Sequence, residues 1–223
     1  MLTVHHLNNS RSQRVLWLLE ELGAPYEVRR YERDRKTLLA PPSLKKVHPL
    51  GKSPVITDDG QAIAESGAIV EYLVERYGQG RLAPAAGTPE RRRYTYWLHY
   101  AEGSLMPLLV MKLVFSRLTT VPAPFFVKPV IRTLVARVNG QFLDPQLRTH
   151  LAFLEAELGG KAWFAGAEFS AADVQMSFPV EAAAARIGLG EFPGLRAWLE
   201  RIHARPAYKR ALEIGGPFDL LTG

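Results

Sequence analysis

A helix start in the first third of the chain has the residue types of an anion site. The segment Ala64-Glu65-Ser66-Gly67 precedes an apolar pattern of helical period. The hydroxyl of Ser66 can cap this helix, and the free backbone N–H groups at its start would form a seat for an anion. A plain helix cap with an acid in the first turn is the alternative, and it needs no ligand.

A proline nearby has the position of a second binding element. Pro54 stands at the mouth of a short strand, where a proline needs a structural reason. A cis Ser53–Pro54 bond is one such reason, and it would leave the N–H and C=O of Ser53 free to pair with an extended, peptide-like ligand. A trans proline in an ordinary turn is the alternative and the commoner form.

Both motifs belong to a strand–hairpin–strand–helix series. The turn Gly51-Lys52-Ser53-Pro54 leads into the apolar pair Val55-Ile56. The segment Asp58-Asp59-Gly60 has the chemistry of a tight hairpin turn, because glycine and aspartate tolerate positive φ. A second short strand follows, and then a helix from Ser66 to about Tyr77.

The residues before this series are typical of a strand–helix–strand unit. Residues 2–7 are strand-like, the apolar residues of 13–23 have helical spacing, and 26–31 alternate as a second strand. Such a unit predicts two parallel strands with the helix crossing on one face of the sheet. We expect residues 34–47 to form a loop with a short, irregular helix.

The second part of the chain has only helical patterns. Residues 79–90 are rich in Gly, Pro and Ala and lack periodicity, which is typical of a linker. Pro107 is expected to kink the first long helix, and Pro145 is expected to make the second one irregular. The helical patterns cover residues 91–118, 130–158, 170–187, 192–204 and 207–214.

Composition limits the chemistry. The chain has 223 residues, a net charge of +6 and no cysteine, which excludes disulfides, thiolate metal sites and a cysteine nucleophile. The positive excess lies mostly in residues 81–223 and favours anionic small molecules. The longest apolar segment, residues 105–115, is too short to cross a bilayer, and residues 1–7 have no signal-peptide pattern. We therefore expect a cytoplasmic protein with no membrane partner.

In its order of elements the chain resembles the cytosolic glutathione S-transferase family, and among its members the serine-type, bacterial-like ones. The residues that carry the resemblance are Pro54 after Gly51-Lys52-Ser53, the pair Glu65-Ser66, Ser10 before the first helix, and Ser170-Ala171-Ala172-Asp173. The resemblance covers nearly the whole chain. It implies a thioredoxin-like α/β domain over residues 1–78, a linker over 79–90 and an all-α helical bundle over 91–223.

The resemblance implies that glutathione is the co-substrate. It assigns to glutathione the residues His48, Lys52, Ser53, Pro54, Glu65 and Ser66. The backbone of Ser53, next to a cis proline bond, would pair with the cysteinyl unit, and Lys52 would reach the glycyl carboxylate. Glu65 would meet the γ-glutamyl ammonium, and Ser66 would hold the γ-glutamyl carboxylate at a helix N-terminus. His48 could assist.

The resemblance places the thiol chemistry at the turn Asn9-Ser10-Arg11-Ser12. The hydroxyl of Ser10, just before the first helix, can donate a hydrogen bond to the glutathione thiolate, and the helix dipole adds to the effect. Both lower the pKa of the bound thiol without a general base. Asn9, Arg11 and Ser12 are rival candidates, and an N-cap role for Ser10 is the structural alternative.

Two further pairs of residues complete the expectations. Tyr100 and Ser104, on a long helix, are the candidates for the wall of the second-substrate site. Ser170 and Asp173 form a capping-box pattern, and their role should be structural. Loss of Asp173 should therefore reduce the free energy of unfolding by about 1 kcal/mol or more rather than reduce activity.

Several partners are not expected. His5 and His6 point to opposite faces of a strand and cannot both bind one ion, so no metal is predicted. The run Arg91-Arg92-Arg93 has no interleaved stacking aromatics, so no nucleic acid is predicted. A homodimer is implied by the resemblance alone.

The leading hypothesis is a glutathione transferase whose thiolate attacks hydrophobic electrophiles or reduces organic hydroperoxides. A non-catalytic glutathione-binding or scaffold protein of the same fold is one alternative. A glutathione-dependent disulfide reductase that uses no protein cysteine is the other. The sequence does not identify the electrophile.

Overall fold

The computed structural model describes residues 1–34, 37, 39–216, 218 and 220. The first part of the chain forms β1 (Thr3–Leu7), α1 (Ser12–Leu22), β2 (Glu27–Tyr31), β3 (Val55–Asp58), β4 (Gln61–Ala64) and α2 (Ser66–Tyr77). The second part forms α3 (Pro89–Tyr100), α4 (Met106–Leu118), α5 (Lys128–Val138), α6 (Asp144–Leu158), α7 (Ala171–Arg186), α8 (Pro193–His203) and α9 (Pro206–Gly215). This is a thioredoxin-like α/β domain followed by a helical domain, as predicted.

The strands form one mixed sheet in the order β2-β1-β3-β4. β1 pairs in parallel with β2, with Val4 opposite Val28, so the predicted strand–helix–strand unit is confirmed. β3 pairs antiparallel with both β1 and β4. The turn between β3 and β4 has positive φ at Asp59 (46°) and at Gly60 (82°), which is the conformation that the predicted tight hairpin requires.

α1 fixes the turn that was predicted to carry the thiol chemistry. Its residues Leu16, Leu18 and Leu19 are fully buried, and burial of each such side chain contributes roughly 1.5–3 kcal/mol. The helix ends where Gly23 adopts a φ of 64°, a left-handed conformation that favours glycine. Because α1 starts so soon after β1, residues 8–11 are held at the end of the sheet.

The opposite face of the sheet is covered by the connector between β2 and β3. A short 3₁₀-helix, Pro42–Lys46, lies in this connector and agrees with the predicted irregular helix. Its Leu44 is fully buried against Leu7, Tyr31 and Val55. Residues 35, 36 and 38 of the predicted loop lie outside the described residues.

The two long helices predicted for the second part are each interrupted by a turn of π-helix. One covers Ala101–Leu105 between α3 and α4, and the other covers Asn139–Leu143 between α5 and α6. Both prolines that were predicted to disturb these helices, Pro107 and Pro145, lie in the first turn of the helix that follows the π turn. A proline ring clashes with the carbonyl four residues earlier, and the wider π turn at that place relieves the clash.

The two parts of the chain share one apolar core. α9 packs along α1, where the rings of Trp17 and Tyr208 meet edge to face with centroids 5.1 Å apart. The guanidinium of Arg205 also pairs with the carboxylate of Glu21 across this contact. The first domain is therefore held on the helical domain by apolar and ionic contacts.

Asp173 joins three segments of the helical domain. Its carboxyl group is fully buried and accepts hydrogen bonds from the N–H of Ser170 (3.1 Å), the N–H of Phe164 (3.0 Å) and the Nε1–H of Trp198 (3.1 Å). Burial raises the pKa of Asp173 to about 6, although these donors favour the charged form. All of these contacts are internal to the helical domain.

The connection between the two parts runs over residues 78–88, which are all described and contain no helix or strand. Arg93, in the arginine run that follows, pairs with Glu157 at 2.8 Å and so has a structural contact. Within the described part of the chain, no helix is both long and apolar enough to cross a membrane. The predicted end of the second domain at residue 223 lies outside the described residues.

Candidate active site

A cavity of about 260 Å³ lies beside the starts of β3 and α2. It is lined by Arg11, His48, Leu50, Lys52, Ser53, Pro54, Ala64, Glu65, Ser66 and Glu102. All the residues that the resemblance assigned to glutathione are in this lining, together with Arg11 from the Asn9–Ser12 turn. Glu102, from the first π turn, was not predicted.

The start of α2 forms one end of this first cavity. α2 begins at Ser66, and Glu65 is the N-cap residue without a side-chain capping bond, so the expected N-cap role of Ser66 is wrong by one residue. The Oγ of Ser66 instead accepts a hydrogen bond from Nη2 of Arg14 at 2.9 Å. Because no side chain caps the first turn, its backbone N–H groups are suited to bind an anion.

A buried guanidinium lies behind this helix start. Arg14 is 2% exposed and also donates to the carbonyl oxygen of Gln175 and to the carboxylate of Glu102, both at 2.6 Å. Burial lowers the pKa of Arg14 against the opposing effect of Glu102, yet an arginine stays charged at neutral pH. Since Ser66 accepts from Arg14, the hydroxyl proton of Ser66 remains available to a ligand.

Glu102 brings negative charge to the same cavity. Its carboxylate accepts hydrogen bonds from Nε of Arg11 at 3.0 Å and from Nη2 of Arg14 at 2.6 Å. Burial acts to raise the pKa of Glu102, but Arg14 and Arg11 outweigh burial and hold the pKa below its ordinary value. Glu102 is therefore ionised at neutral pH, and with Glu65 it gives the wall two carboxyl side chains.

Glu65 has an unusual backbone conformation, with φ 71° and ψ 123°. A residue with a Cβ atom rarely adopts positive φ, and such strain costs about 1–3 kcal/mol and occurs preferentially at functional sites. The strain provides no capping bond for α2. We therefore interpret it as a cost of bringing Glu65 into the cavity wall.

Ser53 connects the first cavity to a buried chain of polar groups. The peptide bond between Ser53 and Pro54 is cis. The Oγ of Ser53 lies 3.2 Å from Oγ of Ser10, which lies 2.8 Å from Oγ of Ser12. The Oγ of Ser12 lies 2.9 Å from Nδ1 of His6. Ser10 is only 3% exposed and is not part of the cavity lining, so it lies behind Ser53.

The direction of hydrogen-bond donation along this series of polar groups follows from its last acceptor. Nε2 of His6 lies 3.0 Å from the carbonyl oxygen of Gly215, which can only accept, so His6 carries a proton on Nε2. Burial lowers the pKa of His6 to about 4, so at neutral pH its Nδ1 is an acceptor. Each serine has a single hydroxyl proton. The hydroxyl of Ser12 can donate to Nδ1 of His6 at 2.9 Å or to the carbonyl oxygen of Leu7 at 3.3 Å. In either case its proton is not directed to Ser10, so Ser10 donates to Ser12 and Ser53 donates to Ser10.

This direction changes the expectation for the predicted catalytic hydroxyl. Without a bound ligand, the proton of Ser10 points inward to Ser12, and Ser53 has the hydroxyl at the cavity wall. Ser12 is fully buried and also accepts the N–H of Leu7 at 3.2 Å, so it holds the end of β1. Arg11 is the member of the predicted turn that lines the first cavity.

A second cavity, of about 430 Å³, adjoins the first at Arg11. It is lined by Asn9, Arg11, Arg33, Met106, Val110, Leu113, Arg117, Phe178, Arg186 and Leu220. The guanidinium carbon of Arg11 lies 5.3 Å from the centre of the Phe178 ring, within the range of a cation–π contact. This arrangement gives a ligand of the first cavity a neighbouring space for a second reactant.

The residues predicted for the second-substrate site lie elsewhere. Tyr100 is buried, its hydroxyl is hydrogen-bonded to Nδ1 of His150, and its ring lies 5.8 Å from that of Phe153. Neither Tyr100 nor Ser104 lines the two cavities described above. From the same long helical segment, Met106 and Val110, which follow the π turn, line the second cavity instead.

Metal ligands are not grouped in the part of the chain that the structure describes. No three or more His, Asp or Glu side chains are placed there to hold an ion. His5 contacts the hydroxyls of Tyr31 (3.0 Å) and Thr57 (3.2 Å), whereas His6 contacts Ser12. The two histidines thus have separate partners.

The fold is that of the glutathione S-transferase family. The model of the family's N-terminal domain matches residues 1–75, and that of its C-terminal domain matches residues 135–201. The chain therefore belongs to the glutathione S-transferase family.

Individual relatives agree with this assignment. The chain is 38% identical over 215 residues to glutathione S-transferase 3 of Schizosaccharomyces pombe, covering 96% of this chain and 87% of that protein. It is 27% identical to the disulfide-bond oxidoreductase YfcG of Escherichia coli, with 95% and 94% of the two chains covered.

Solved structures give the same result. A glutathione S-transferase from Actinobacillus pleuropneumoniae matches with a TM-score of 0.83 and 33% identity over 99% of this chain and 95% of that one. A sphingomonad glutathione S-transferase complexed with glutathione matches with a TM-score of 0.73 and 25% identity, covering 96% and 98%. The similarity extends over both domains, and it supports the enzyme class predicted from the sequence.

Proposed function

We propose that the protein is a glutathione transferase that binds glutathione in the first cavity and directs its thiolate at an electrophile in the second. The observation that carries this proposal is the distribution of charge in the first cavity. Glutathione has two carboxylates and one ammonium group. The lining offers an uncapped helix start, two carboxyl side chains and Lys52.

The γ-glutamyl end of glutathione fits the start of α2. Its carboxylate would bind the first-turn N–H groups and the hydroxyl of Ser66, with the charge of Arg14 behind. Its ammonium would bind between Glu65 and Glu102. The similar sphingomonad enzyme was solved with glutathione, which supports glutathione as the ligand.

The other end of glutathione fits the turn before β3. The backbone N–H and C=O of Ser53 would pair with the cysteinyl unit, and Lys52, with His48 nearby, would hold the glycyl carboxylate. With both ends held in this way, the thiol would lie where the two cavities meet, close to Arg11 and Ser53.

Several groups at this junction favour the thiolate. The start of α1 has the positive end of its dipole there, Arg11 supplies a charge, and Ser53 or Ser10 can donate a hydrogen bond. The thiolate would attack the electrophilic carbon, so that a C–S bond forms and the bond to the leaving group breaks. The leaving group departs with its electron pair, and the protein is neither oxidised nor reduced.

Disulfide reduction is the second candidate, favoured by the similarity to the disulfide-bond oxidoreductase YfcG. Without a protein cysteine, a first glutathione thiolate would attack the disulfide and release one thiol. A second glutathione would then attack the mixed disulfide, yielding glutathione disulfide and the second thiol. The adjoining second cavity offers the space for the disulfide substrate.

Calorimetric titration with glutathione, followed by turnover assays, tests the proposal. We expect binding and conjugation of chlorodinitrobenzene, and we expect Glu102→Gln to weaken binding. Turnover of hydroxyethyl disulfide without conjugation would favour the reductase. Binding without turnover of an aryl halide, an organic hydroperoxide or a disulfide would favour a non-catalytic binding protein. Absence of glutathione binding would refute the proposal.

We further propose a cytoplasmic homodimer, for which the helical domain gives some support. Apolar side chains at four-residue spacing are exposed along α4 and α5. They are Val114, Leu118, Val130 and Leu134. A second copy of the chain would cover these side chains.

A further inference from the structure

The second cavity has an unusual amount of positive charge for a site with an apolar wall. Four of its lining residues are arginines, namely Arg11, Arg33, Arg117 and Arg186. No acidic residue is among its described lining residues. Arg11 forms an ion pair with the carboxylate of Glu102, which lies in the first cavity and offsets part of its charge.

Among the described residues, Arg117 and Arg186 form no ion pair with a carboxylate. Arg186 donates from Nη1 to the carbonyl oxygen of Leu109 at 3.2 Å, which holds the guanidinium without neutralising it. Arg117 is exposed and lies in the last turn of α4, where the helix dipole favours a positive charge. An anion in the cavity can therefore reach both charges.

The arginines also act on one another. Burial, and then the charges of Arg11 and Arg117, lower the pKa of Arg33 and of Arg186. Arg33 is oriented by hydrogen bonds to the carbonyl oxygens of Asn8 (3.2 Å) and Asn9 (3.3 Å). Like charges at a half-buried site repel, and a bound anion would relieve that repulsion.

Apart from Asn9, the rest of the lining is apolar. Met106, Val110 and Leu113 come from α4, Phe178 comes from α7, and Leu220 follows α9. Such a surface favours a ligand with an aromatic or aliphatic body, which gains free energy by leaving water. A fully polar peptide would make poor use of this wall.

We propose that the second reactant is an amphipathic anion: an electrophile with an apolar body and a carboxylate or similar acidic group, held by Arg117 and Arg186 with the reactive carbon near Arg11. This proposal rests on the proposed function and narrows its substrate class. It adds an acidic group to the hydrophobic electrophile expected from the sequence.

A matched pair of substrates tests the proposal. Chlorodinitrobenzoate and chlorodinitrobenzamide have the same reacting centre and differ in charge. We measure kcat/KM for each with saturating glutathione and divide it by the uncatalysed rate constant with glutathione. We expect the normalised ratio of acid to amide to exceed about 10, since several charges act together, and to fall as salt is added. A ratio near one or below would overturn the proposal.

Variants that each remove one positive charge test whether the preference for the acid arises in the second cavity. Arg117→Gln should lower the acid-to-amide ratio about fivefold, the upper range for one exposed ion pair. Arg92→Gln removes the same charge from an exposed position on α3 outside both cavities, and it should leave the ratio unchanged. Equal losses in the two variants would refute the assignment to this cavity. Because Arg117 is exposed and its side chain has no bond to the fold in the described structure, the variant should fold normally.

Two further measurements separate the possible failures. If neither halide is turned over, the binding constants of the unreactive dinitrobenzoate and dinitrobenzamide, from quenching of tryptophan fluorescence, give the same ratio without chemistry. Turnover of both halides with no preference leaves the transferase function intact and refutes only this inference. Inhibition by excess glutathione that Arg117→Gln abolishes would assign the cavity to a second peptide and also overturn the proposal.

Discussion

Two neighbouring serine substitutions are predicted to shift the acidity of bound glutathione in opposite directions. In the unliganded protein the proton of Ser10 is donated to Ser12 at 2.8 Å. To donate to a thiolate, Ser10 must give up this bond. Ser10→Ala removes the donor and should raise the pKa of the bound thiol, whereas Ser12→Ala removes the competing acceptor and should lower it.

The magnitude follows from the two hydrogen bonds that Ser10 exchanges. A bond to a charged group is worth about 1.5–3 kcal/mol, and a neutral one is worth about 0.5–1.5 kcal/mol. The net gain from turning Ser10 outward is therefore about 1 kcal/mol, or a little under one pKa unit. Ser10→Ala should lose this gain. In Ser12→Ala, Ser10 has no neutral bond to give up when it turns toward the thiolate, so the pKa of the thiol should fall by a similar amount.

The assay is a pH titration of the thiolate absorbance in the ultraviolet, with each variant saturated with glutathione. The pH profile of kcat/KM for an aryl halide should show the same two shifts. Ser12→Ala will also lose stability, because the N–H of Leu7 and Nδ1 of His6 lose a buried partner. Its thermal unfolding is therefore recorded, and the titration is made well below the midpoint. An increase of the thiol pKa in both variants would refute the direction of donation from Ser10 to Ser12.

Three further outcomes are expected. Glu102→Gln should raise the Kd for glutathione at least about tenfold, because one charged hydrogen bond is lost. Glu157→Gln breaks an ion pair outside both cavities and should not change the Kd. Equal effects of the two substitutions would argue against a role of Glu102 in binding. The pKa of His6 lies near 4 in the folded protein, below its unfolded value, so the unfolded chain binds more protons between these values and stability falls as the pH decreases from about 6.5 to 4. Urea unfolding at the two ends of this pH range gives the loss of unfolding free energy on acidification, and His6→Asn should reduce that loss by up to about 3 kcal/mol. The same loss in the variant and the parent protein would contradict the lowered pKa of His6. The double variant Val114→Lys with Leu134→Lys, at positions that are 54% and 59% exposed, should halve the mass found by analytical ultracentrifugation; a monomeric parent protein would refute the dimer.

The sequence predicted the part of the first cavity that is local in the chain. The turn before β3, the hairpin and the start of α2 follow one another between His48 and Ser66, and the resemblance assigned residues of this one segment to glutathione. Two partners of this segment are remote. Arg14 is 52 positions from Ser66, and Glu102 is 88 positions from Arg14. Contacts of this kind depend on how α1, α2, α7 and the first π turn pack together, which periodicity does not specify.

The second cavity was mispredicted for a different reason. The expectation for Tyr100 and Ser104 took no account of a π turn within residues 91–118, and side chains of a regular helix repeat every 3.6 residues. The π turn at Ala101–Leu105 adds a residue to that period, so every later side chain is rotated by roughly 100° relative to a regular helix. The rotation brings Met106 and Val110 to the cavity, and the turn itself carries Glu102.

The hydrogen-bond direction at Ser10 could not be predicted from the sequence either, because it depends on the far end of the chain. The carbonyl oxygen that fixes the tautomer of His6 belongs to Gly215, 209 positions away. A Cβ atom at this position would lie 2.1 Å from Oε1 of Gln13, so a larger residue here would require the side chain of Gln13 to move. Without the carbonyl oxygen of Gly215, His6 could carry its proton on Nδ1 and donate to Ser12. Ser12 could then donate to Ser10, and Ser10 could donate to the thiolate without losing a bond. The packing of α9 on α1 thus sets the state of a hydroxyl beside the first cavity, although no residue of α9 is in the lining of that cavity.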